Sequence, residues 1–185
     1  MRFNPSNMAY RMIRTLGKTT ILISSLALMS VMFVVVMFFV NPSIDGGNGS
    51  GVLELQLSFE KNAGIELTKS WGKSGVNQFN QWIFTDYVYA FSYSLFFASL
   101  ISYLALRKGK EDSLDSMFFV CLALLSGALD CLENTMELSF INNPYVFSNN
   151  LFLTHSIVAT LKWVAVIIVI VYIFFLLTKK NEIHL

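Results

Sequence analysis

From Ile21 to Val40 the chain runs for 20 residues without one charged side chain, and no other feature limits its fold so sharply. Hydrocarbon about 30 Å thick is crossed by about 20 residues of α-helix. No water reaches that layer, so each backbone N–H and C=O has to be bonded within the segment, which a helix achieves and an open strand does not. The stretch exceeds the roughly 7–15 apolar residues of a secretory leader, and Phe38-Phe39-Val40-Asn41-Pro42 at its end offers no small residues for cleavage, so an uncleaved anchor is expected. Three further runs follow: Trp82 to Leu106, Met117 to about Ile141, and Leu151 to Thr178. Composition agrees, with only 14% charged residues against about 25% in ordinary soluble domains. The expectation is an all-α membrane protein folded as a single domain over 1–185, a four-transmembrane-helix bundle with helices at about 19–40, 82–106, 116–141 and 150–178. A formal net charge of +1, with no basic stretch interleaved with aromatics, argues against nucleic acid as a partner.

Orientation follows from Lys and Arg, which are retained on the cytoplasmic side. Nine of the 13 lie in three segments: Arg2, Arg11, Arg14 and Lys18 before helix one; Arg107, Lys108 and Lys110 between helices two and three; Lys179 and Lys180 in the tail. The segment after helix one holds Lys61, Lys69 and Lys73, and the one between helices three and four holds none. Both termini are therefore expected in the cytoplasm, in a multi-pass protein of a plasma or bacterial inner membrane whose first partner is the lipid bilayer. The sequence sets no oligomeric state.

The expected extracytoplasmic piece, 41–81, reads as a short strand and helix cap. Asp45 to Gly51 is glycine-rich and turn-forming. Leu53, Leu55, Leu57 and Phe59 then alternate with Glu54, Gln56 and Ser58, the period-two pattern of a half-buried extended segment. Glu60 to Ser70 suits a short amphipathic helix with Ala63, Leu67 and Trp71 on one side, ended by Gly72 and Gly75. Asn48-Gly49-Ser50 is a formal glycosylation acceptor. Cys121 and Cys131, ten apart in helix three, cannot bridge on a straight helix and read as small core residues.

Chemistry, if present, belongs to ionisable residues inside the spans, where each costs several kcal/mol and so faces a partner or a wet cavity. Helix three carries Asp130, Glu133, Asn134 and Glu137 along one face, helix four His155 and Lys162, and helix two Asp86 with Tyr89 and Tyr93. At about 1.5 Å per residue the three stripes overlap in the outer leaflet. Helical side chains lean toward their own N-terminus, which brings Lys162 toward Asp130 or Glu133. Glu137, near the end of its helix, is expected to be solvated. Ala123 and Gly127, four apart on helix three, form a small-residue pair that lets a neighbouring helix approach closely. Tyr87, Tyr103, Trp82 and Trp163 read as belt or core aromatics. A lysine and a carboxylate on adjacent helices can simply fix register, but carboxylates outnumber Lys162 and the surplus has to be protonated, solvated or bound to a cation. His155 with Asp130 and Glu133 is the candidate metal set, and the cofactor, if any, is open.

The order of an extended apolar segment, a short helix ending near glycine, an Asp opening helix two, Asp130-Cys131-Leu132-Glu133-Asn134 in helix three and Leu161-Lys162-Trp163 in helix four resembles a group of small bacterial four-helix integral membrane proteins with an Asp-x-x-Glu-Asn motif. The resemblance covers about Val52 to Thr178, with Leu129 where that group carries phenylalanine. It implies the four-helix fold and a polar cluster acting as one unit. The group has no assigned activity, so no chemistry comes with it.

Three readings remain at this point. The first is a membrane protein whose outer-leaflet polar pocket binds a small ligand, cation or partner. The second is an embedded enzyme acting on a lipid or isoprenoid, using Asp130, Glu133 and His155 as acid, base or metal ligands. The third is ion- or proton-coupled transport, disfavoured by the lack of an internal repeat in four spans.

Overall fold

The computed structural model describes residues 8–45, 51–143 and 148–178. Every regular element among them is helical: α1 (Met8–Leu16), α2 (Thr19–Val35), α3 (Asn41–Asp45), α4 (Gly51–Leu57), α5 (Lys61–Arg107), α6 (Leu114–Phe140) and α7 (Asn149–Thr178). Four helical stretches are long and apolar enough to cross a membrane: Thr19–Ile44, Lys61–Arg107, Leu114–Phe140 and Asn149–Thr178. The glycosylation acceptor at Asn48, and Arg2, Lys179 and Lys180, lie outside the described residues.

The bundle is built around α6, which packs between α5 and α7, while α2 lies on the outer side of α5. The apolar residues are distributed accordingly. Ile23, Val31 and Phe38 of the first span, and Leu161, Ile167, Val171 and Phe174 of α7, are exposed, whereas the faces turned inward carry small or polar side chains such as Ser94, Ser99, Ser126, Ser156 and Ala159. The first set is of the kind that suits lipid tails, and the second permits close helix approach. Gly127 shows how close. A Cβ there would stand 2.5 Å from Ser94 Oγ and 2.9 Å from the Ala90 carbonyl, so the small-residue contact of helix three faces α5.

Local chemistry sets the boundaries. The first span continues past Val40, because the chain loosens into a π-helical turn over Val36–Val40 just before Pro42. Proline has no N–H to donate and its ring collides with the carbonyl four residues back, and the wider turn absorbs both. α5 ends in a Schellman motif: Gly109 adopts φ 60, its N–H bonds the Leu106 carbonyl, and the Lys110 N–H bonds the Ala105 carbonyl at 2.8 Å. Ser148 Oγ accepts from the Leu151 N–H at 3.1 Å and caps α7.

The segment between the first two spans departs most from expectation. Leu53 to Phe59 is no strand: Gly51–Leu57 is helix α4, with Leu55 and Gln56 buried and Leu53 and Leu57 exposed. A lone strand there would leave its backbone groups unpaired, and a helix satisfies them by itself. The amphipathic helix starts at Lys61, but its buried side is Gly64, Ile65, Thr68 and Trp71, one position round from the expected face, and Ala63 is exposed. It is not ended by Gly75. At Gly72 the backbone leaves helical geometry (φ 65, ψ −174), and α5 then resumes and runs to Arg107, so the helix that holds the second apolar run begins well before Trp82. A positive φ is cheap only for glycine, which makes Gly72 the bend between cap and span. Cys121 is exposed and Cys131 half-buried, neither a core thiol.

Two apolar clusters bracket the bundle. At the capped end Val40, Ile44, Leu55, Trp71, Phe79, Ile83, Phe140, Ile141 and Phe152 pack together. At the α1 end the cluster is Ile13, Ala98, Ile101, Val120, Ala123, Val169, Tyr172, Ile173 and Leu176. Along α5, α6 and α7 alike, the ionisable residues Asp86, Asp130, Glu133, Glu137, His155 and Lys162 fall between these two layers.

Candidate functional site

Positions 130, 133, 134 and 137 of α6 share one helical face, and Asp130, Glu133, Asn134 and Glu137 are all buried on it. His155 and Lys162 of α7, seven apart, are buried opposite them. Lys162 Nζ lies 3.0 Å from Asp130 Oδ1 and 2.6 Å from Glu133 Oε2, so it engages both candidate partners. The two helices run in opposite directions and their side chains lean toward each other, which lets a four-carbon stem span the gap.

The network extends on both sides of that pair. Asp86 of α5 accepts a hydrogen bond from Asn134 Nδ2 at 2.8 Å. His155 Nε2 is 3.1 Å from Glu137 Oε1, and the rings of Phe140 and Phe152 pack against the imidazole at 5.2 and 5.6 Å. Asp86 and His155 thus attach through different residues of α6. Tyr93 is buried and its hydroxyl donates to the Ser126 carbonyl at 3.1 Å, while Tyr89 packs edge-on against Tyr93 and reaches Phe33 of α2. Tyr87 bonds Thr135 at 2.8 Å. Trp163 Nε1 donates to Gln56 Oε1 of α4 at 3.3 Å, tying the cap to α7 beside Lys162.

Glu137 corrects the sequence reading. It is 1% exposed rather than solvated, because Phe140, Phe152 and the cap close over the end of α6 that a straight-helix depth count leaves open. The signal was present as spacing, four residues beyond Glu133 on the same face. Its inclusion also changes the candidate ligand set. Glu133, Glu137 and His155 each offer a ligand atom, all within 4.8 Å of one another, and Asp130 is not in that group, although Lys162 engages Asp130 and Glu133 alike.

Electrostatically the site is lopsided. Four carboxylates, those of Asp86, Asp130, Glu133 and Glu137, face the single ammonium of Lys162. Among the described residues Glu133 Oε1, Asn134 Oδ1, His155 Nδ1 and Ser156 Oγ are buried without a hydrogen-bond partner, although most buried polar atoms in native proteins have one. No family model, curated protein or solved structure matches the chain, so the functional reading rests on this geometry.

Proposed function

We propose that the chain is a multi-pass membrane protein with both termini in the cytoplasm, whose outer-leaflet polar cluster binds a small ligand or cation. The observation that carries the reading is the surplus of buried carboxylates over Lys162. An uncompensated charge in a low-dielectric interior costs several kcal/mol, so the cluster is matched to something positive or proton-donating. A purely structural pair would need one carboxylate for Lys162, and three more are held around it.

A ligand that binds only the folded protein raises its unfolding free energy, by about 2.7 kcal/mol at a hundred times its Kd. Thermal unfolding in detergent, screened against inorganic cations and short organic amines, is expected to show stabilisation that disappears when Glu133→Gln and Glu137→Gln are combined. Identical transitions across the whole screen would reduce the cluster to helix-pairing glue. Orientation is tested in a variant with Cys121 and Cys131 replaced by alanine. Ser70→Cys should react with an impermeant maleimide added to intact cells, and Asp112→Cys should react only after lysis.

A further inference from the structure

We propose that Glu133, Glu137 and His155 form a binding site for a divalent transition-metal ion. This deepens the cation reading above and rests on it.

Metal to nitrogen or carboxylate-oxygen bonds of about 2.0–2.2 Å put the donors around one ion roughly 3–4.4 Å apart. The three side chains offer donors no more than 4.8 Å from one another, and two of them, His155 Nε2 and Glu137 Oε1, already stand 3.1 Å apart. Small side-chain rotations complete the arrangement. Two ligands come from adjacent turns of α6 and the third from the facing turn of α7, so rigid helices rather than loops hold them. The cluster also contains atoms that lack a partner. Glu133 is fully buried, and with Oε2 held by Lys162 at 2.6 Å its Oε1 has no hydrogen bond among the described residues, nor has His155 Nδ1.

Charge gives an independent reason. Asp86, Asp130, Glu133 and Glu137 against Lys162 leave three negative charges in the layer, and a divalent ion lowers that surplus to the one on Asp86, which is only half-buried and is bonded by Asn134. The donor set selects the class of ion. Imidazole favours zinc, iron, nickel or copper over calcium, and magnesium keeps several waters that a layer closed by Phe140 and Phe152 does not readily admit.

The test uses the full chain with a purification tag that contains no histidine. Metal analysis after purification in mild detergent should find about one transition-metal ion per chain. Replacement by cobalt should give visible absorption bands of a nitrogen- and oxygen-ligated ion. His155→Ala and Glu137→Gln should each lower the content at least about tenfold, while Trp163→Phe should keep it. The cobalt spectrum needs no variant, so the result stands even if a substitution prevents folding. Absence of both bound metal and any stabilisation by Zn2+ or Co2+ overturns the metal site. If organic amines or monovalent ions stabilise the protein in that case, the broader cation pocket survives, and if nothing does, both readings fall together.

Discussion

The two ends of the bundle are closed by different means. At the α1 end the helices meet through Ala98, Ala123 and branched aliphatic side chains, with Tyr172 stacked on Phe119 at 3.7 Å, and the small residues permit close backbone approach. At the capped end Trp71, Phe79, Phe140 and Phe152 fill the space, with Trp71 stacked on Phe79 at 6.1 Å and Phe140 edge-on to Phe152 at 5.4 Å. The polar layer lies between them and beneath the aromatic lid. The difference is instructive because charges in this position are shut off from solvent by bulky rings that helix α4 and the first turns of α5 hold down. One end is packed mainly by aliphatic side chains, and the other closes with aromatic rings over the charged layer.

The largest expected effect comes from the covered layer. Lys162→Met leaves Asp130 and Glu133 buried without their cation, and losing one partner of a buried pair costs about 3–5 kcal/mol. Thermal unfolding in detergent should show a clear fall in Tm. Adding Asp130→Asn should restore part of it, and adding Glu133→Gln as well should restore more, since each change removes a charge that Lys162 had balanced. If Lys162→Met unfolds no more easily than a lipid-facing change such as Ile167→Ala, the layer is open to water and the contrast between the two ends dissolves.

Next in size is the close helix contact. Gly127→Leu drives a side chain into Ser94 and the Ala90 carbonyl of α5, and overpacking of this kind costs about 1–3 kcal/mol. The same measurement should place it below Lys162→Met, because α5 can shift outward in lipid whereas a bare charge has no such escape. Equal or greater damage at Gly127 would mean that packing, and not the ionic layer, dominates the stability of the bundle.

The sequence exposed this architecture unevenly, and the reasons are physical. The spans were legible because about 20 apolar residues have few uses outside a bilayer, and the inward faces of α6 and α7 were legible because side chains three, four and seven apart must share a side. The cap was not. Leu53, Leu55 and Leu57 alternate as a strand does, yet Leu53 and Leu57 are also four apart as on a helix, and only the absence of a partnering strand decides between the two. Glu137 was misplaced for a related reason. Counting depth along α6 assumes that nothing covers its end, whereas the ring of Phe152, which belongs to α7, closes it. Gln56 carried no signal at all, since its partner Trp163 is 107 residues away.

That long-range contact gives the smallest and sharpest test. The bond from Trp163 Nε1 to Gln56 Oε1, 3.3 Å long, joins α4 to α7 one residue beyond Lys162. Trp163 is 40% exposed, so on losing Gln56 its N–H can turn outward instead of staying buried without a partner. Gln56→Met, which keeps the volume and removes the acceptor, is therefore expected to cost only about 0.5–1 kcal/mol, read as a small drop in Tm. Its effect on access should be larger than its effect on stability, because the bond anchors the cap rather than the bundle. Hydrogen exchange at the backbone of α4 should accelerate while exchange along α6 stays unchanged. Were both helices to loosen together, cap and bundle would be one cooperative unit. Unchanged exchange in α4 would mean instead that Leu55, fully buried against the aromatic layer, holds the cap in place without help from this hydrogen bond.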